Sequence, residues 1–168
     1  FGCKNCYAKT NSSLCTIRCY LEFRRDCFEY HTRRIEIRRA SPTDPSLGNG
    51  VFVKAGQIIM RNAYIGEYIG RLLPATVNSN SAYQYELDGI PRNGTNLPLV
   101  VVDSGLEGNW TRFMNSRCRP NVHAAEITIG KIRMIGFKAV RTIHQNEQLF
   151  INYGAQYFIQ RQINCHCD

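Results

Sequence analysis

Two sets of residues in this chain have types and spacings suited to chemistry. The first opens it: Cys3, Cys6, Cys15, Cys19 and Cys27, a C-x2-C pair, then a C-x3-C pair, then a fifth cysteine. Two such pairs wrap backbone around a tetrahedral thiolate site, the arrangement of structural zinc. The alternative is a disulfide scaffold of the kind short secreted segments use. Only three further cysteines follow, Cys118, Cys165 and Cys167, which is unlike a stapled mini-protein and favours zinc. A segment so short and polar has little core of its own, so the metal would supply its folding energy.

The second set is Trp110-Thr-Arg-Phe-Met-Asn-Ser-Arg-Cys-Arg-Pro-Asn121, taken with Leu149-Phe-Ile-Asn-Tyr-Gly154. The first half is too irregular for one helix or strand and too apolar for a solvated linker. It reads as a buried loop, whose backbone polar groups need partners that Asn side chains, each with an acceptor and two donors, can supply. The second half is an apolar run ending in Tyr153, as a strand would if it delivered a phenol to a cleft.

The frame that must position these residues is β-rich. With 168 residues and 43% hydrophobic content the chain fits one domain plus a small satellite, with a sizeable core. No apolar run reaches about 18 residues and no basic-then-apolar leader opens the chain, so no membrane partner is expected. A start at Phe1 and an end just after a Cys-x-Cys predict a piece excised from a longer protein. The net charge of +8, concentrated at Arg24, Arg25, Arg33, Arg34, Arg38 and Arg39, suits either a solvated face or proximity to chromatin and nucleic acid.

Alternation predicts a half-buried strand over Arg33–Arg39, with Ile35 and Ile37 inward. After a turn-rich 41–46, Gly48-Asn49-Gly50 leads into a β-branched strand; the pattern is a plain turn or a close backbone approach to a ligand. Gln57–Met60 and Ala63–Gly70 read as two short strands around Arg61-Asn62, and 71–81 as a surface insertion, partly helical. Tyr83–Asp88 alternates with Tyr83, Tyr85 and Leu87 on one face, and Leu99–Val102 is a buried strand. Val122–Ile129 and Lys131–Val140 form a hairpin turning at Gly130, and 155–162 a short helix with Tyr157, Phe158 and Ile159 partly buried. Helix signals are otherwise few.

Arg112-Phe-Met-Asn-Ser-Arg-Cys-Arg-Pro-Asn121 and Gln148-Leu-Phe-Ile-Asn-Tyr-Gly154 resemble the two signatures of the SET-domain family of protein lysine methyltransferases, Arg-Phe-x-Asn-His-Ser-Cys-x-Pro-Asn and Glu-Leu-x-Phe-Asp-Tyr-Gly. Gly48-Asn-Gly-Val51, Glu67-Tyr-Ile-Gly70 and Tyr83-Gln-Tyr-Glu-Leu87 are similar to further elements of that family. The resemblance implies a mainly β, SET-type fold of several small curled sheets, with a knot-like C-terminal crossing and few short helices. It implies a Cys-rich pre-SET-like segment (1–32), a SET domain (33–154) and a truncated post-SET segment (155–168), in which Cys165 and Cys167 would join Cys118 on a second zinc. Cys118 is otherwise a buried apolar residue, the commoner fate of a lone cysteine.

The implied activity is methyl transfer from S-adenosylmethionine to a lysine of a histone or other protein, in the nucleus. That direct displacement needs alignment and a neutral amine, not a metal. By the resemblance Tyr153 is the catalytic tyrosine, with Tyr83 beside it. Gly48, Asn49, Gly50, Tyr68, Arg112, Asn115, Ser116 and Tyr153 would hold the cofactor, Tyr83, Tyr85 and Ile151 would line the lysine channel, and Asn121 would fix the loop. Ser116 stands where the family has His, Arg117 where it has Ser, and Asn152 where it has Asp. Two other functions are weighed against this one: a catalytically silent SET-like module binding chromatin or protein, and a zinc-dependent nucleic-acid-binding module.

Overall fold

The computed structural model describes residues 15–76, 81–88 and 98–164. Cys3, Cys6, Cys165 and Cys167 lie outside the described residues. The architecture is mainly β, with three small sheets and two helices. Strands β1 (Ile35–Arg39), β2 (Asn49–Val53), β10 (Gln148–Ile151) and β7 (Asn115–Ser116) form one sheet in the order β1-β2-β10-β7. The second has the order β3 (Tyr64–Glu67), β9 (Ile132–Ala139), β8 (Val122–Ile129), and the third β4 (Arg71–Pro74), β6 (Pro98–Asp103), β5 (Gln84–Asp88). Val51, Val53, Ile65, Val122, Ile135, Phe137 and Leu149 meet as one fully buried core between them.

The β8–β9 hairpin forms as expected. Its two central residues, Gly130 and Lys131, have φ of 58° and 67°, the mirror-image turn whose twist matches paired strands. Elsewhere the expected elements change. Gln57–Met60 forms no strand; Ile59 makes one isolated bridge to Ile143. The stretch after Gly70 is not helical but becomes β4, paired antiparallel with β6. Ile37 is 44% exposed because β1 is an edge strand, and Ile159 faces out of the C-terminal helix α2 (Ala155–Arg161).

The largest departure is α1 (Ile17–Arg34), a helix of 18 residues where few short helices were expected. It crosses the expected boundary at residue 32 without a break. Cys19, Phe23 and Cys27, at i, i+4 and i+8, stack on one face and bury against Ile127, Ile129 and Met134, so this segment shares a core with β8 and β9. Phe23 meets Tyr64 edge to ring at 5.9 Å. Arg33 and Arg34 sit in the last turn, where their charge suits the carbonyl end of the helix.

Candidate active site

Tyr153 is placed by two segments that fold against each other. β10 runs between β2 and β7, antiparallel to the first and parallel to the second. Asn121 locks this crossing: its Nδ2 donates to the Gln148 carbonyl and its Oδ1 accepts from the Phe150 N–H, both at 2.8 Å. Past the strand, the Tyr153 N–H donates to Ser116 Oγ at 3.2 Å and the phenol donates to the Met114 carbonyl at 2.7 Å. The 110–121 segment therefore holds the tyrosine at both ends. That segment is anchored in turn by Asn109, whose Nδ2 donates to the Glu67 carbonyl at 2.8 Å while its Oδ1 accepts from the Thr111 hydroxyl at 2.5 Å.

Around Tyr153 lie two connected spaces. One is a narrow chamber of about 60 Å³ walled by Tyr68, Tyr83, Tyr85, Ile151, Tyr153 and Tyr157. That volume accommodates a few water-sized groups, at about 10–15 Å³ each, the scale of the end of an alkyl side chain. The other is an open groove of about 520 Å³ bordered by Gly48, Asn49, Asn115, Ser116 and Phe158. Tyr83, Arg112, Tyr153 and Tyr157 line both, so the two share a wall.

The chamber is aromatic, with the Arg112 guanidinium as a charged group in its lining. Burial pushes the Tyr153 phenol far above its ordinary range, helped by neighbouring Tyr157, Tyr68 and Tyr83. Burial likewise raises Tyr68, whose hydroxyl donates to the Tyr83 carbonyl at 2.8 Å, and Tyr85. These phenols stay protonated through neutral pH. Among the described residues the lining contains no carboxylate and no imidazole. No side chain there can act as a general base, so an amine reacting in this chamber must arrive already neutral.

The structure distributes the sequence-predicted residues unevenly. Gly48, at φ 61° with open space where a side chain would stand, and Asn49 border the groove, and Asn115 Nδ2 donates to the Asn49 carbonyl at 3.2 Å across it. Gly50 does not line it; a Cβ there would strike the Gln148 side chain, so its smallness serves strand packing. Tyr68 sits in the chamber wall, not in the groove. Arg112 Nη2 donates to the Gly105 carbonyl at 2.9 Å, and its guanidinium lies 4.4 Å over the Tyr83 ring. Sequence reasoning missed the functional placement of Tyr157 and Phe158, taken only as helix packing. Tyr157 meets Tyr153 at 4.6 Å.

The groove fits S-adenosylmethionine, since it offers amide and hydroxyl side chains, accessible backbone beside Gly48 and an aromatic face at Phe158. The described cysteines do not by themselves form a zinc site. Cys27 lies eight helical residues, about 12 Å, from Cys19, beyond any shared tetrahedral site. Cys15 Sγ accepts from the Gly130 N–H at 3.1 Å, and no cluster of three or more His, Cys, Asp or Glu able to hold a metal occurs among the described residues. Cys27 is buried in the core with Ile127, Ile129 and Met134, and Cys118 is exposed, where a buried apolar residue was the alternative to a metal ligand.

The SET domain profile matches residues 50–154. A protein of Mycosarcoma maydis named "Histone-lysine N-methyltransferase, H3 lysine-36 specific" is 28% identical over 120 residues, covering 70% of this chain and 12% of that protein. The "Variant-silencing SET domain-containing protein" of Plasmodium falciparum is 29% identical over 181 residues, covering 96% of this chain and 7% of that protein. The chain thus spans a small part of these relatives' length. Among solved structures, the methyltransferase domain of human PR domain-containing protein 2 shares the fold, with a TM-score of 0.55 and 24% identity over 73% of this chain and 78% of that one.

Proposed function

The chain belongs to the SET-domain family, and from that premise we propose that it is a protein lysine N-methyltransferase that uses S-adenosylmethionine and acts on a histone tail in nuclear chromatin. One observation carries the reading: a phenol fixed through Met114 and Ser116 stands in a wall common to an alkyl-width chamber and a cofactor-sized groove. When bound, the cofactor supplies an electrophilic methyl group on a sulfonium. Gly48, Asn49, Asn115, Ser116 and Phe158 would hold it in the groove. The chamber sleeves the lysine tail, excludes water and aims the amine at the common wall; such alignment is most of what a direct displacement needs. Because the Tyr153 hydrogen already points at the Met114 carbonyl, its lone pairs are left to accept an N–H or polarised C–H contact. The chromatin setting is supported by the name of the Mycosarcoma maydis relative and by the net charge of +8.

The test pairs calorimetry with S-adenosylmethionine and a methyl-transfer assay across histones, read by mass spectrometry. Tyr153→Phe is expected to bind the cofactor as wild type does and to lower turnover about a hundredfold, the scale of one positioned transition-state contact. No cofactor binding by the wild type would refute the proposal and favour a silent module; unchanged turnover in Tyr153→Phe would remove the tyrosine from catalysis.

A further inference from the structure

The tyrosine chamber has no base to take a proton, yet a lysine amine with a pKa of about 10.4 enters from water mostly as ammonium. Something must disfavour that charge. Among the described residues Arg112 is the one guanidinium lining the chamber, and it borders the groove as well. It forms no ion pair among the described residues. Its Nη2 bonds a neutral carbonyl, and its Nε is buried without a hydrogen-bond partner. Its charge is therefore not cancelled by direct contact.

The same guanidinium covers the Tyr83 ring at 4.4 Å and lies 5.5 Å from the Phe113 ring. A tyrosine face is where an ammonium would otherwise find attraction. Here a permanent cation already occupies it. Of the facing groups, Tyr68, Tyr83, Tyr85, Tyr153 and Tyr157 are phenols; Asp103, bonded by Ser81 Oγ and the Gly105 N–H, both at 2.7 Å, keeps its negative charge but does not line the chamber, and Glu126, felt by Tyr85, is paired with Arg133.

We infer that Arg112 is a positioning residue for the acceptor's protonation state: its fixed charge beside the Tyr83 ring expels the ammonium form, so that lysine occupies the chamber as the neutral amine. This rests on the methyltransferase reading. The ammonium gives its proton to solvent water; the amine lone pair then forms the N–C bond as the C–S bond breaks, its electron pair staying on sulfur.

The probes are a histone H3 peptide centred on lysine-36, the residue in the name of the Mycosarcoma maydis relative, and the same peptide with norleucine, an uncharged isostere, in place of that lysine. In the pH profile of kcat/KM, Arg112→Gln is expected to raise the apparent pKa of the acidic limb by about one unit, and Arg112→Lys to leave it in place. By calorimetry at neutral pH the wild type is expected to bind the norleucine peptide about tenfold more tightly than the lysine peptide, a preference that Arg112→Gln loses. A superimposable Arg112→Gln profile, or equal wild-type affinity for the two peptides, overturns the inference while leaving methyl transfer intact. If Arg112→Gln does not fold, the wild-type comparison decides alone. A protein that binds S-adenosylmethionine yet neither binds nor methylates either peptide overturns this inference together with the histone assignment.

Discussion

Replacing Asn121 by Ala removes the two side-chain bonds that hold β10 against the preceding loop, those to the Gln148 carbonyl and from the Phe150 N–H. Asn121 is 4% exposed, so water does not readily replace them. Each stranded backbone group costs about 1–3 kcal/mol, which sums to about 2–6 kcal/mol, a large share of the roughly 5–15 kcal/mol that holds a domain together. Urea unfolding should show that loss as a lower midpoint at unchanged slope, and hydrogen exchange should place it at the Phe150 amide. Asn121→Asp separates the two bonds. It keeps an acceptor for Phe150 but sets a carboxylate oxygen against the Gln148 carbonyl, so its deficit should shrink as pH falls toward about 4 and the acid regains a donor. A loss under about 1 kcal/mol for Asn121→Ala would refute the idea that this side chain secures the crossing.

Gly130→Ala forces a left-handed residue to carry a Cβ aimed at the Thr16 carbonyl, so a loss above about 2 kcal/mol and faster exchange in α1 are expected by denaturation and hydrogen exchange. Burial raises the Glu67 carboxyl, an effect that Arg24 and Tyr20 offset only in part. Its contribution to stability is full below the ordinary carboxylate range and declines as pH rises through the raised value, so Glu67→Gln should flatten urea midpoints against pH in that window; an unchanged slope would refute this. Ile151 brings no hydroxyl into the chamber, so the wild type should reach di- or trimethyl-lysine and Ile151→Tyr should shift products to monomethyl-lysine, as read by mass spectrometry. Elemental analysis should find zinc if Cys3 and Cys6 join Cys15 and Cys19, whereas disulfides in that segment would rule it out.

What could be read from the chain alone was local. Gly130 between two apolar runs specifies a hairpin, because only a turn with positive φ joins strands of that twist in two residues. Asn121 was legible as a loop fastener, since its amide serves a donor and an acceptor at once. α1 was not, because cysteines at close spacing signal thiolate chemistry while also counting as small apolar residues. With Phe23 between them, Cys19 and Cys27 make the helical stripe that buries on β8 and β9. β4 escaped because an edge strand with Leu72 67% exposed carries no inward–outward alternation. Tyr157 reaches the chamber only because α2 folds back over it, a tertiary event with no periodic trace in the sequence.

Ser116 is the position where the family signature and this chain differ most, and the structure says which function that difference touches. The tyrosine depends on the Met114 carbonyl, on the Asn121 bonds to β10 and on the Ser116 hydroxyl that accepts from its N–H. Two of these three supports are indifferent to what stands at position 116, and a serine serves the third directly. The phenol is therefore held without an imidazole. What a larger ring would change is the groove, where Ser116 and Asn115 form one border and Asn115 alone reaches across to Asn49. Cofactor affinity and tyrosine placement are thus separable here: Ser116→His should alter binding of S-adenosylmethionine in calorimetry while leaving the Tyr153 contact to Met114 in place. A variant that instead lost turnover at saturating cofactor would show that the serine hydroxyl, not the carbonyl, sets the phenol.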